Sequence, residues 1–214
     1  MLEKAQFEIG AADLSQLPPD RGREVAFAGR SNAGKSSAIN ALTNRRRLAF
    51  VSRTPGRTQQ INFFALGGGR YLVDLPGYGY ARVPGEVQHR WGRALGAYLR
   101  RRASLRGLVL IMDIRHPLTP LDRGLLDWFA PTGKPVLALL TKADKLPRQE
   151  AERQLHTVDT ELERVYPGAQ AILFSAVSRL GVEAAKGFVT ALLGREENQA
   201  RAEYNPRRQR KAPG

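Results

Sequence analysis

Eight consecutive residues, Gly29-Arg30-Ser31-Asn32-Ala33-Gly34-Lys35-Ser36, have the types and spacing of a loop that cradles phosphate. Glycines at 29 and 34 let the backbone curl around an anion, while successive N–H groups and the N-terminus of a following helix aim positive dipole at it. Lys35 is then placed to reach β and γ phosphates, and the Ser36 hydroxyl to hold Mg²⁺. The flanks suit this chemistry: Val25 to Ala28 has strand composition and Ser37 to Leu42 has helix composition. The pattern alone also occurs in glycine-rich turns, so its meaning rests on what converges on it.

Four further stretches qualify. Asp74-Leu75-Pro76-Gly77 ends a hydrophobic strand, where a carboxylate is costly unless a cation is near; Mg²⁺, bound directly or through water, meets that need. Gly77 leaves room for a γ phosphate to meet the backbone N–H. In Thr141-Lys142-Ala143-Asp144 the Asp144 carboxylate accepts two hydrogen bonds, which matches the adjacent N1 and N2 donors of guanine, a pair that adenine lacks. Lys142 has an aliphatic stem able to lie along a base plane. Phe174-Ser175-Ala176 offers a backbone N–H to a base carbonyl. Thr58, within Gly56-Arg57-Thr58-Gln59-Gln60, has a hydroxyl able to complete a Mg²⁺ shell when a γ phosphate is present, which would make residues 45–60 an order–disorder switch. Singly, each stretch also reads as an ordinary Pro-Gly or solvated polar turn.

The elements that must position these residues alternate. Strand composition recurs at 25–28, 61–66, 71–75, 108–113, 136–140 and 171–174, with helical patterns at 37–42, 86–102, 121–130, 148–165 and 182–193. Gly67-Gly68-Gly69 joins two strands as a hairpin, and the other strands are separated by helices, which makes them parallel. The expected fold is α/β: a doubly wound, mainly parallel six-stranded sheet with one antiparallel strand and helices on both faces. In such a sheet ligands sit outside the carboxyl ends of the strands, where the loops after 28, 75, 140 and 174 all fall. Trp91 belongs to the apolar stripe Val87, Trp91, Leu95 and Leu99 and reads as core.

Composition narrows the class. The 214 residues contain no cysteine, which excludes disulfides and thiolate chemistry. The apolar runs Leu108 to Met112 and Val136 to Leu140 are too short to cross a bilayer, and nothing reads as a secretory signal, so the expectation is a cytoplasmic protein without a membrane span. The net charge of +14, mostly arginine, attracts polyanions without distinguishing RNA from DNA or anionic lipid, and Arg45 to Arg47, Arg100 to Arg102 and the arginine-rich tail from Glu196 are its candidate contacts.

In order and spacing these stretches resemble the translation-factor class of P-loop GTPases, and most closely the EngB family of ribosome-assembly GTPases. The resemblance rests on G-R-S-N-A-G-K-S, on T-P-G-R-T-Q from Thr54 with Asn62 and Phe63 after it, on D-L-P-G-Y-G-Y-A from Asp74, on Asp113-Ile114-Arg115-His116-Pro117, on T-K-A-D and on F-S-A, and it spans residues 20–195. It implies a GTPase domain over 23–195, an N-terminal extension over 1–22 and a disordered basic tail over 196–214. GTP or GDP contacts are implied for Gly29, Arg30, Ser31, Asn32, Ala33, Gly34, Lys35 and Ser36; for Gly56, Arg57, Thr58, Gln59 and Gln60; for Asp74, Leu75, Pro76 and Gly77; for Thr141, Lys142, Ala143 and Asp144; and for Phe174, Ser175 and Ala176. Mg²⁺ would sit on Ser36 and Thr58, with Lys35, Thr58 and Gly77 acting in hydrolysis. The implied partners are the large ribosomal subunit and its rRNA, the chain acting as a monomer with a family link to cell division and septation.

Two positions depart from the wider class. Position 78 is Tyr where many GTPases carry a water-orienting Gln, so slow intrinsic hydrolysis is expected. Thr141 stands where Asn is common, which removes a side-chain amide and should loosen nucleotide binding; the resembled family usually shows Thr there. Asn32 offers an oxygen for K⁺ beside the phosphates, where its charge could replace an arginine finger. Two other functions fit the residues: a metabolic ATPase or kinase using the same loop, and a nucleotide-sensing RNA-binding adaptor without significant hydrolysis.

Overall fold

The computed structural model describes residues 1–49, 60–79 and 95–194. Their strands are β1 (Gln6–Ala11), β2 (Arg23–Gly29), β3 (Ile61–Gly67), β4 (Arg70–Asp74), β5 (Leu105–Asp113), β6 (Val136–Thr141) and β7 (Ala169–Leu173). The helices are α1 (Lys35–Thr43), α2 (described over 95–101), α3 (Pro120–Phe129), α4 (Arg148–Val165) and α5 (Val182–Gly194). Trp91 and the expected start of α2 lie outside the described residues, as does the tail from 195.

One sheet holds all the described strands in the order β1-β3-β4-β2-β5-β6-β7. β2 pairs in parallel with β4 and β5, β5 with β6, and β6 with β7. β3 alone runs against its neighbours, antiparallel to β4 through the glycine hairpin and to β1 on its other side. The sheet therefore has seven strands where composition suggested six. The seventh comes from the N-terminal residues: as an edge strand it needs little apolar character, and Gln6–Ala11 buries only Ala11 and leaves Phe7 exposed.

Alternation along the strands divides the core. Val25, Phe27, Val109 and Ile111 face α1 and α5, whereas Ala26, Ala28, Leu108, Leu110 and Met112 face α2, α3 and α4. Strands covered on both faces read as unbroken apolar runs, which is why β5 and β6 were plain in the sequence. α3 starts at a capping box in which Thr119 and Asp122 satisfy each other's backbone N–H groups, with Pro120 at its first position.

At the sheet edge opposite the candidate loops lies a buried ionic cluster. The Glu24 carboxylate is wholly buried; it accepts two bonds from the Arg102 guanidinium, at 2.7 Å from Nη2 and 3.0 Å from Nε, and one from the Tyr98 hydroxyl at 2.8 Å, while Ser104 Oγ shares its single proton between Glu24 at 2.8 Å and Asp20 at 2.6 Å. Arg102 also lies over the Phe63 ring, 5.8 Å from its centroid. This corrects one expectation: Arg102 is a core residue locking α2 to β2 and has no surface left for RNA, although Arg100 and Arg101 are exposed. Removing one member of such a pair strands the other charge in the core, which typically costs about 3–5 kcal/mol. Arg102→Met should therefore lower the chemical-denaturation midpoint sharply, while the double replacement Glu24→Leu with Arg102→Met should recover most of the loss; equal midpoints for Arg102→Met and wild type would refute the assignment.

Candidate functional site

The loops after β2, β4, β6 and β7 meet at one end of the sheet. β2 must end in glycine: a Cβ at Gly29 would lie 2.7 Å from the Ile111 carbonyl oxygen on β5. The chain then turns through Asn32 (φ 63°) and Gly34 (φ 99°), both left-handed, into α1. α1 has no side-chain cap, so its first N–H groups point outward as an anion site requires. Ser31 Oγ is buried and makes no hydrogen bond among the described residues. A buried hydroxyl without a partner is costly, and a ligand oxygen would satisfy it.

The Lys35 ammonium is ion-paired with the Asp74 carboxylate, both largely buried. Asp74 is brought there by β4, whose register with β2 sets Asp74 beside Phe27, and the chain beyond it follows the phosphate loop: Leu75 N–H donates to the Phe27 carbonyl at 3.0 Å and Ser31 N–H to the Tyr78 carbonyl at 2.9 Å. A Cβ at Gly77 would meet Ser31 at an ordinary 3.5 Å, and Gly77 has no positive φ. Neither packing nor backbone therefore demands glycine there.

The loop after β6 is tied directly to the phosphate loop. Thr141 Oγ1 lies 2.5 Å from the Ala33 carbonyl oxygen and 3.0 Å from that of Met112, and its single proton is shared between the two acceptors. With Thr in place of Asn, the hydroxyl itself makes the connection to the phosphate loop. Lys142 adopts φ 59°, and its ammonium donates to the Asn32 carbonyl at 2.9 Å. Its head is engaged there and not only its stem.

Asp144 Oδ1 accepts from Ser175 Oγ at 2.6 Å, and this bond holds its carboxyl below the usual range, so it stays ionised. Ser175 Oγ in turn accepts the N–H groups of Val177 and Ser178, at 3.2 and 3.1 Å. The Ser175 N–H donates to the Leu180 carbonyl at 3.0 Å and is therefore committed within the chain. Side chains of Ala33, Leu75, Ala143 and Phe174 are buried, so these residues can offer a ligand only backbone.

Tyr78 points away from the cluster. Its hydroxyl donates to Asp122 Oδ1 at 2.7 Å, and burial, reinforced by that carboxylate, pushes the phenol far above its ordinary pKa. Arg30 bridges to Tyr78 through the backbone, Pro76 is half-buried, and Gln60 lies exposed just ahead of β3. Gly56, Arg57, Thr58 and Gln59 lie outside the described residues. Sequence reasoning missed two carboxylates that engage site residues, Asp113 as a partner of Lys142 within the cluster and Asp122 as the partner that turns Tyr78 away from it. The available signal for the first was a carboxylate closing an apolar strand two residues before an arginine.

Several residues fit Mg²⁺. Mg²⁺ takes oxygen ligands, typically one or two protein groups completed by phosphate oxygens and water. Ser36 at the start of α1 and Asp74 at the end of β4 supply those protein groups.

A family model described as 50S ribosome-binding GTPase matches residues 24–142. The Probable GTP-binding protein EngB of Methylobacillus flagellatus is 58% identical over 186 residues, covering 87% of this chain and 90% of its own. Its namesake from Thiobacillus denitrificans is 60% identical over 186 residues, covering 86% and 89%. Among solved structures, a probable GTP-binding protein engB superposes with a TM-score of 0.62 at 22% identity, over 79% of this chain and 98% of that one. Era in complex with MgGDPNP and a segment of 16S ribosomal RNA superposes with a TM-score of 0.61 at 19% identity, over 83% and 58%; at these identities the structures speak for the fold.

Thr141→Val keeps the shape and removes the donor, leaving the Ala33 carbonyl unpaired. A cost of about 1–3 kcal/mol is expected, read as a lower thermal midpoint that Thr141→Ser largely restores; a Thr141→Val midpoint equal to wild type would show that the tie carries no weight.

Proposed function

This chain belongs to the EngB family of GTP-binding proteins and is a GTPase, and on that footing we propose that it is a slow GTP-operated switch in assembly of the large ribosomal subunit, working in the cytoplasm as a monomer. The observation that carries the nucleotide part is the meeting of Lys35 with Asp74, and of Thr141 and Lys142 with the phosphate loop, at one end of the sheet. Residues 23–195 are the GTPase domain in this reading, residues 1–22 an N-terminal extension whose strand completes the sheet, and 196–214 a basic tail.

The nucleotide contacts are assigned to Gly29 to Ser36, Gly56 to Gln60, Asp74 to Gly77, Thr141 to Asp144 and Phe174 to Ala176. The α1 N-terminus and Lys35 bind the phosphates, and the orphan Ser31 hydroxyl finds an acceptor there. Asp144, kept ionised by Ser175, accepts from guanine N1 and N2. Hydrolysis is in-line attack of water on the γ phosphate, with Lys35 countering the charge that spreads over its oxygens and the Gly77 N–H and Thr58 reading its presence. Mg²⁺, when bound on Ser36 and Thr58, neutralises charge on the β and γ oxygens.

Slow turnover follows from Tyr78, whose phenol is committed to Asp122 and cannot orient the water. K⁺ at the exposed Asn32, or a docked ribosomal partner, would supply what is missing. The ribosomal part draws on the name of the family model and on the charge of +14, which suits rRNA phosphates. The link to cell division and septation rests on the family resemblance.

Calorimetry should show GTP and GDP binding without competition from ATP, and Lys35→Ala should slow single-turnover hydrolysis by about 10²-fold or more. Wild-type hydrolysis should rise with immature large subunits and be faster in KCl than in equimolar NaCl. No heat with either guanine nucleotide would end the nucleotide reading, while rates indifferent to ribosomal subunits would end the ribosomal one and equal rates in the two salts the K⁺ assignment.

A further inference from the structure

The segment Asp113-Ile114-Arg115-His116-Pro117 takes no part in the function as described so far, yet it lies against the site. Asp113 is the last residue of β5 and is in register with Thr141, the last residue of β6. Its side chain is 9% exposed and carries two cations. Arg115 reaches back as a fork, with Nε 2.9 Å from Oδ1 and Nη2 2.7 Å from Oδ2, and its backbone N–H donates to Oδ1 at 3.1 Å. On the other side the Lys142 ammonium lies 2.9 Å from Oδ2, and the same ammonium donates to the Asn32 carbonyl at 2.9 Å.

We propose that Asp113 is a positioning residue of the nucleotide site: anchored by Arg115, it holds the Lys142 ammonium on the Asn32 carbonyl and so couples the base-reading loop to the phosphate loop. The inference rests on the nucleotide reading above for what occupies the site, and on the geometry alone for the coupling.

The physical argument is one of restraint. A lysine ammonium on a four-carbon stem is mobile, and holding it on a single carbonyl costs side-chain entropy. A buried carboxylate fixes it in place, and a bidentate guanidinium fixes the carboxylate. The hydrogen bonds from Arg115, joined by those from Lys142, hold the Asp113 carboxyl well below the usual carboxylate range, so the anchor stays charged.

What the ammonium holds is itself unfavourable. Asn32 and Lys142 both have left-handed backbones, at φ 63° and 59°, although neither is glycine. Such conformations are unfavourable for residues other than glycine and persist only where the surroundings over-determine them. The Asp113–Lys142–Asn32 chain is the determinant on this side of the loop. Without the carboxylate the ammonium is free to leave Asn32, and the nucleotide must then order both loops as it binds. Affinity falls even though Asp113 touches no ligand atom.

The test is release of a fluorescent GDP analogue from the full chain, compared among wild type, Asp113→Asn, Lys142→Met and the double variant. Each single change should speed release on the order of tenfold, and the double should be no faster than the faster single, because both remove one connected restraint. An Asp113→Asn protein that loses thermal stability yet releases the analogue at the wild-type rate assigns the residue a merely structural role and overturns the proposal. So does a double variant whose effect is the product of the singles. Should Asp113→Asn not fold, Arg115→Ala, on a side chain about half exposed, is measured in its place: faster release is expected, and an unchanged rate overturns the coupling. A wild-type chain that binds no guanine nucleotide defeats the nucleotide reading itself, whereas binding by wild type with an indifferent Asp113→Asn defeats only this inference.

Discussion

Two side chains at the end of β6, the hydroxyl of its last residue Thr141 and the ammonium of Lys142 just beyond, hold the carbonyls of Ala33 and Asn32 in the phosphate loop. The rest of the site depends on this tie. The carbonyls of Ala33 and Asn32 turn into protein, away from solvent, and buried carbonyls need donors. The parallel register that ends β5 and β6 at the same level supplies them from the next loop along the sheet. One constraint, the pairing of buried backbone groups, thereby sets base recognition and phosphate binding at a fixed separation.

The two ends of the sheet have different work. At the strand C-termini the charged groups are partnered one by one, Lys35 with Asp74, Lys142 with Asp113 and Asp144 with Ser175, and their carboxylates stand at or just beyond the ends of buried strands. At the opposite end Glu24 and Arg102 are buried with Tyr98 and Ser104 and bind nothing but the chain itself. Anchoring α2 by its C-terminal end leaves the loops at the other edge to respond to what they bind. Tyr78 lies between these roles: its backbone follows the phosphate loop while its phenol is fastened to the cap of α3.

Most of the candidate site was legible because the residue types that suit phosphate are set locally. Gly29, Gly34, Lys35 and Ser36 stand at a recognisable spacing along one loop, and Asp74 and Asp144 stand out as carboxylates following apolar strands. The strands β5 and β6 were equally plain, since burial on both faces forces unbroken apolar runs. β1 was not, because an edge strand pairs through its backbone and leaves little trace in side-chain type.

The sequence by itself determined the parts: the phosphate loop, the alternation of strand and helix, and the carboxylates at strand ends. Only the tertiary structure decided which of the many charges pair with one another. Arg102, in a run of exposed-looking arginines, went to the core because Glu24 lies there; Asp113 became the anchor of Lys142; and Tyr78 turned to Asp122. Charge and hydrogen bonding are settled by distances of about 3 Å across strands far apart in the chain, and such distances leave no period or spacing in a sequence.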